Sequence, residues 1–341
     1  MGVFSHGFPY LRFEVLGNGV VALTSDSNTI ASGRRVTLVV PGSTSNLGPG
    51  LDTIGLALNI QSKMTFHVAE DKEAADMPFV KLSGGIRKSQ PEDQGKLVYK
   101  ILSKIWEHDN DLLKRVRITV QSDIPLGCGL GSSASSILGA LWASSVFCDK
   151  IPTAQTLLAE GCALEGHPET LAASLYGGMV VCAPSVNGNR IITQQVAWPD
   201  DWHILAVVPD YTLHTADLRA ALPKQVKLED AIFNAQRVGL LVAAVSRSDE
   251  SAMKEALNDR LHEQYREKFV PELKQLRREL VNEPVIGCVL SGAGSSCVII
   301  VNRKKKEQVK ERLGHFSKES GKPHRVLDLQ VAKEGMQELE I

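Results

Sequence analysis

Neither sign of charge dominates this 341-residue chain, in which 38 Lys and Arg stand against 39 Asp and Glu. A basic field for nucleic acid or for an anionic membrane is therefore not indicated. The one basic run, Arg303 to Lys306, leads into Glu307 and a helix-like stretch, and reads as a solvated helix start. No two of the six cysteines form a CxxC pair, and several sit in apolar runs such as GMVVCA and GCVL. That argues against a disulfide framework or a zinc site and predicts reduced, mostly buried thiols in a reducing compartment. No apolar stretch reaches the roughly 18 residues of a bilayer span, and the N-terminus lacks the charged-then-apolar pattern of a signal peptide. There is no GxxxxGK[ST] P-loop, and no GxGxxG in Rossmann register with a later ribose-binding acid, so a P-loop NTPase and an NAD enzyme are both disfavoured. The expectation is a cytoplasmic, soluble protein, and 341 residues suffice for one large domain or two intimate ones.

Residues 1–34 stand apart. RFEVLGNGVVAL reads as a hairpin turning at Asn18-Gly19, and SDSNTIASG as a polar linker. The role of this extension stays open. From Arg35, VTLVV reads as a short buried strand followed by the loop PGSTSNLGPGLD. Further strands are expected at Met64–Val68, Val116–Val120 and His203–Pro209, and at 285–292 and 297–301 as a pair around a tight turn. Small apolar residues from Ser132 to Phe147 suit a buried helix, and residues 156–165 and 228–246 also read as helices. Strands and helices without regular alternation point to α+β rather than a doubly wound sheet.

Three glycine-rich segments carry the chemistry. In Pro125-Leu-Gly-Cys-Gly-Leu-Gly-Ser-Ser-Ala134, three glycines remove Cβ atoms so that backbone can approach a ligand. Ser132 and Ser133 then open a helix, whose unpaired N–H groups and positive dipole end suit a polyphosphate. A loop that merely caps a packed helix would look similar. The segment Pro41 to Asp52 follows a strand and offers Asn46 and Asp52 to a cleft, though a polar surface turn is the alternative. Leu290-Ser-Gly-Ala-Gly-Ser-Ser296 lies between two apolar strands and could be only a hairpin turn.

Together, in this order, these segments resemble the GHMP kinase superfamily. GLGSSA matches the family's phosphate loop letter for letter, and Gly292-Ala-Gly-Ser-Ser296 its last glycine-rich turn. STSNLGPGLDTIGLAL, LEGHPET at 164–170, HTADLRAALP at 214–223 and DRLHEQYR at 259–266 are similar to segments of the homoserine kinase branch, an enzyme group of threonine synthesis. The resemblance runs from about residue 36 to 320. It implies a GHMP kinase fold: a ribosomal protein S5 domain 2-like, ATP-binding domain over 35–195 with a left-handed βαβ crossover, and a ferredoxin-like domain over 196–341. It implies ATP and Mg²⁺ as cofactors, a small-molecule alcohol as acceptor, and allows a homodimer.

The residue roles come from the same resemblance. Pro125, Gly127, Gly129, Leu130, Gly131, Ser132 and Ser133 would surround the phosphates, with Lys96 on the nucleotide side. Ser133 and Glu165 would ligate Mg²⁺, with Glu160 as a second choice of acid; hard oxygen donors suit that ion. Asp52 would meet an ammonium, and Arg219 and Arg266 a carboxylate, for which a planar guanidinium fork is suited. Asn46, His167, Thr170 and Gly292 complete the substrate side. Three departures stand out: Glu169-Thr170 replaces the family's Asp-Asn, Lys96 replaces a nucleotide-side Asn, and Ser295 replaces a Pro. Thr170 puts the acceptor in doubt, so a kinase for another amino or hydroxy acid, or a ligand-binding relative without transfer activity, stays open. The expectation is that Thr170 positions the acceptor hydroxyl and that Glu169, the one adjacent carboxylate, is structural unless its side chain turns inward to act as a base.

Overall fold

The computed structural model describes residues 33–70, 79–83, 92–106, 110–319 and 323–339. The hairpin expected around Asn18-Gly19 lies outside them, as does the side chain of Lys96. Strands β1 (Arg35–Asn46) and β2 (Gly50–Val68) form a long antiparallel hairpin. β2 then pairs with β4 (Val116–Ser122), beside which β3 (Val80–Ser83) runs parallel. Helices α1 (Glu92–Ile105) and α2 (Asn110–Arg115) connect β3 to β4. Nearer its start, β2 pairs with β5 (Met179–Pro184), which carries β6 (Ile191–Val196).

Between β4 and β5 come α3 (Ser132–Phe147), α4 (Ala154–Glu165) and α5 (Glu169–Tyr176). α3 is apolar and small on every side, and nearly all of it is buried, as such a helix must be. It crosses β2 closely at Gly139, where a Cβ would fall 2.5 Å from the Met64 methyl carbon.

The second sheet has the order β10-β7-β9-β8, all antiparallel, built from β7 (Trp202–Pro209), β8 (Val285–Leu290), β9 (Cys297–Asn302) and β10 (His324–Leu329). Helices α6 (Thr215–Ala220), α7 (Leu228–Arg247), α8 (Glu250–Ala256), α9 (Glu263–Arg266) and α10 (Pro271–Glu279) lie between β7 and β8, and α11 (Lys306–Glu319) between β9 and β10. This βα-ββ-αβ connection with order 4-1-3-2 is the ferredoxin-like arrangement expected from the sequence. Both faces of β7 are covered: Ile204, Ala206 and Val208 join the core shared with β2, while Leu205 and Val207 face α10 and α11 residues such as Leu273 and Leu313. That explains its unbroken apolar run. After β10 the chain returns to the first sheet. Ala332 N donates to Ala57 O and Gly178 N to Ala332 O, and β11 (Gln337–Glu338) adds to the edge of β1.

The polar stretch after VTLVV is where sequence and structure part. It reads as a loop, yet β1 continues through Pro41 to Asn46, with a bulge between Pro41 and Gly42. Ser43, Thr44 and Ser45 are buried, and polar groups of all three are met by a helix and a turn from elsewhere in the chain, so apolar alternation is absent from a true strand. Five of the six cysteines are buried and Cys148 is half-buried. Arg303–Lys305 forms an exposed 3-10 turn ahead of α11, capped by the Asn302 side chain; Lys306 lies 2.8 Å from Asp328. Among the described residues no helix is long and apolar enough to cross a membrane.

Candidate active site

Two turns dock on the polar end of β1. Ser43 N donates to Leu130 O and Gly292 N to Ser45 O, each at 3.1 Å. The Ser291 hydroxyl donates to Gly129 O at 2.7 Å and lies 2.8 Å from Thr44 Oγ1. Gly129 and Gly131 have φ near +80°, which L side chains rarely adopt. A Cβ on Gly129 would fall 2.2 Å from Ser291 O, and one on Gly131 2.5 Å from Ser43 N. These glycines are therefore required by the packing of loop on loop. Gly127 is different, since a Cβ there would meet only the Thr212 side chain at 3.2 Å. In the last turn the Ser295 hydroxyl donates to Tyr211 O at 2.9 Å, a tie that a proline at this position could not make.

Around these turns lies a cleft of about 240 Å³, lined by Gly127, Gly129, Gly131, Ser132 and Ser133 together with Asp52, His167, Thr170, Arg219, Arg266 and Gly292. The first-turn N–H groups of α3 have no partner within the helix, and Gly131 at its N-cap provides no capping side chain. That end of the cleft is a donor-rich seat for an anion.

A string of polar groups runs from this seat along the cleft wall. Ser133 Oγ donates to Glu165 Oε2 at 2.6 Å. Glu165 ends α4, and Gly166 in the left-handed region turns the chain back. His167 Nε2 lies 4.0 Å from Glu165 Oε1. His167 Nδ1 lies 3.1 Å from Glu169 Oε1, but the approach is off the N–H axis, so the contact is an ion pair more than a directed hydrogen bond. Thr170 Oγ1 donates to the same Glu169 oxygen at 3.0 Å. Burial works against the imidazolium of His167, but Glu169, Glu165 and Asp52 outweigh it and raise its pKa to about 9. Burial likewise opposes ionisation of Glu169, and His167, a backbone N–H and the Thr170 hydroxyl together hold it below the usual carboxylate range.

On the facing side, Arg219 grips Asp52 by two bonds of 3.0 and 2.6 Å. The groups assigned from sequence to opposite charges of a ligand thus neutralise each other here. Arg266 is buried. It donates to Leu218 O, to Gly292 O and to His262 Nδ1. Since Arg can only donate, that nitrogen of His262 accepts, and Nε2 carries the proton to Gly48 O at 2.7 Å. Asp259 caps the turn beneath by accepting from the N–H groups of Leu261, His262 and Glu263. Burial first, and Arg219 second, press the Arg266 guanidinium down to about 10. Asn46 spends its amide on the protein: Nδ2 donates to Gly292 O at 2.8 Å, and Oδ1 accepts from Asp52 N at 3.1 Å.

Most residues singled out in the sequence line this one cleft. Pro125 and Leu130 do not: Leu130 is buried in the core between the sheets and contributes only its carbonyl, to Ser43. Glu160 also lies off the cleft, because five residues along a helix is about 140° from Glu165. His262 was passed over, although its place four residues before Arg266 in DRLHEQYR is the spacing that brings two helical side chains together. Ser45, Thr215 and Leu97 also line the cleft; Ser45 and Thr215 lie inside the segments STSNLGPGLDTIGLAL and HTADLRAALP already singled out, while nothing in the local sequence of Leu97 distinguishes it from an ordinary helix residue.

Comparison with known proteins adds a second line. Residues 96–178 match the family model described as GHMP kinases N terminal domain, and residues 241–318 match GHMP kinases C terminal. A homoserine kinase of Caldanaerobacter subterraneus is 32% identical over 308 residues, which is 90% of this chain and 96% of that protein. One from Aquifex aeolicus is 32% identical over 304 residues, covering 88% of this chain and 98% of that protein. Among solved structures, the homoserine kinase of Cytophaga hutchinsonii superposes with a TM-score of 0.72 at 22% identity, covering 92% and 99% of the two chains. The L. major mevalonate kinase gives 0.67 at 12% identity, covering 90% and 98%. These two likenesses bear on fold alone.

Proposed function

This chain belongs to the homoserine kinase family of the GHMP kinases, and from that membership we propose that it transfers the γ-phosphoryl group of ATP to the hydroxyl of L-homoserine. ATP and the alcohol give ADP, a phosphomonoester and a proton released to solvent. The observation that carries this reading is the two-ended cleft. At one end the Gly127–Ser133 turn and the start of α3 offer N–H donors to phosphates; at the other, Asp52, Arg219 and Arg266 offer charges of both signs to a zwitterion. Arg219 and Asp52 would exchange their mutual fork for the carboxylate and the ammonium, so neither charge is left bare in the free protein or the complex.

Phosphoryl transfer asks mainly for alignment and charge stabilisation. Ser133 and Glu165 place two hard oxygen donors 2.6 Å apart at the phosphate end, a donor set that fits Mg²⁺, which uses one or two carboxylates and completes its shell with phosphate and water. Bound there, Mg²⁺ supplies neutralisation of the phosphate charge. Backbone N–H groups of the glycine turn hold the phosphates, Arg266 is fixed from behind by His262 to receive a carboxylate, and Thr170 faces the acceptor hydroxyl. Glu169-Thr170 in place of Asp-Asn favours a second reading, a kinase for a related amino or hydroxy acid alcohol. ADP release measured over homoserine, serine, threonine, 4-hydroxybutyrate, 3-aminopropanol and mevalonate tests both. Homoserine should give the highest kcat/KM; a clear preference for another alcohol replaces the first reading with the second.

A further inference from the structure

Glu169 is almost completely buried, and sequence reasoning leaves it structural. A structural buried carboxylate is normally hydrogen-bonded at both oxygens, because an unmet polar atom in the interior carries its desolvation cost with nothing to offset it. Here Oε2 has no hydrogen-bond partner among the described residues, while Oε1 takes both the Thr170 hydroxyl and the His167 contact. The carboxylate is thus held through Oε1 while Oε2 stays unmet, and the one side chain that hydrogen-bonds it is Thr170, which lines the cleft.

The backbone beneath the pair is fixed. A Cβ on Gly55 of β2 would fall 2.1 Å from Glu169 O, so the start of α5 lies directly on that strand. Ser43 Oγ donates to Thr170 O at 3.1 Å and lies 2.9 Å from Ser174 Oγ. The remaining freedom is the rotation of the Thr170 hydroxyl. A threonine hydroxyl has one proton and two lone pairs. An ionised carboxylate can only accept, so the proton of Thr170 points at Glu169 and the lone pairs are left for the cleft.

We propose that Glu169 is a positioning residue that acts through Thr170: by taking the only proton of that hydroxyl it makes Thr170 an acceptor-only group, which binds the acceptor alcohol by its O–H and turns the alcohol's lone pairs toward the γ-phosphorus. This rests on alcohol phosphorylation in the same cleft. It assigns no proton transfer to Glu169, whose ion pair with His167 makes it a weak base. It also differs from what an amide at position 170 offers, since an amide presents a donor and an acceptor without help from its neighbour.

The test is a double-mutant cycle on kcat with homoserine, using Thr170→Val, Thr170→Ser, Glu169→Gln and the Thr170→Val/Glu169→Gln pair. Thr170→Val should lose roughly tenfold to a hundredfold in kcat with the KM for ATP unchanged. Thr170→Ser, which keeps the hydroxyl, should stay within about threefold of wild type. Glu169→Gln should lose about tenfold or more, because its amide can donate to Thr170 and turn the hydroxyl proton into the cleft. In the Thr170→Val background Glu169→Gln should cost nothing further. Multiplicative losses, or a Glu169→Gln protein with wild-type kcat, overturn the proposal. Should Glu169→Gln fail to fold, Glu169→Asp is put through the same cycle and judged by the same coupling. Wild-type protein that phosphorylates no alcohol would overturn the proposed function and this inference with it, whereas an active wild type with uncoupled losses overturns this inference alone.

Discussion

Arg219 and Arg266 are both guanidinium groups beside one cleft, but their surroundings differ, and so should the effects of removing them. Arg219 is about one-third exposed, and among the described residues its side chain is tied only to Asp52. Its loss should raise the KM for the acceptor by roughly ten- to a hundredfold, the worth of a charged hydrogen bond, with stability little changed. Arg266 is buried against two carbonyls and His262. Arg266→Ala should weaken the acceptor similarly and also lower the melting temperature, because it leaves Gly292 O and His262 Nδ1 without that donor. Acceptor KM values unaltered in both variants would take the arginines out of the site. The His167–Glu169 pair gives a pH signature of its own. A His pKa raised to about 9 means that the folded state holds a proton the unfolded chain releases above about 6.5. This contribution is complete below that pH and fades as pH rises through 9. The lowered Glu169 pKa works in the opposite sense, its contribution being lost as pH falls below the usual carboxylate range. Thermal stability should therefore decline from pH 6.5 to 9 more steeply in wild type than in His167→Gln; equal slopes would show that the pair does not hold its proton.

At the scale of elements, the parts that were legible in sequence are those whose signal is apolar periodicity or a compulsory residue. α3 shows as a run of small apolar residues, β7 as a continuous apolar strand, and the β8–β9 pair as two apolar runs around a glycine turn. The cleft was legible because glycines and charged residues of fixed types recur at family spacings. The far half of β1 was not. Ser43, Thr44 and Ser45 are buried strand residues, and the side-chain partners of Ser43 and Thr44 lie more than a hundred residues away, so no local pattern announces them. The return of residues 330–338 was equally hidden, being made of isolated backbone contacts to Ala57, Asn59 and Gly178 and a two-residue strand. Nor could local sequence tell that Asp52 and Arg219, 167 positions apart, hold one another. The close approach of α5 to β2 gives a direct check on the structure. Gly55→Ala would drive a methyl group into Glu169 O, an overpacked contact of backbone on backbone that should cost about 1–3 kcal/mol. Chemical denaturation measures it, and a Gly55→Ala protein as stable as wild type would mean that α5 does not lie on β2 at this point.

For the whole molecule, the site exists because two sheets share one core. Leu56 and Leu58 of β2 pack with Ile204, Ala206 and Ile300 of the second sheet, which sets the phosphate turn and α5 on one side of the cleft and α6 and α9 on the other. The returning tail locks this arrangement: a Cβ on Gly335 would fall 2.1 Å from Leu175 O, so the tail lies against the end of the helix that begins with Glu169 and Thr170. On the proposed function, a cleft so built would bring a polyphosphate at one end into line with a small zwitterionic alcohol at the other. The most direct measurement is phosphorus NMR of the protein with ATP, Mg²⁺ and L-homoserine. The account predicts a phosphomonoester resonance of O-phospho-L-homoserine growing in step with ADP. ADP with inorganic phosphate and no ester, or an ester formed only from a different alcohol, would contradict it.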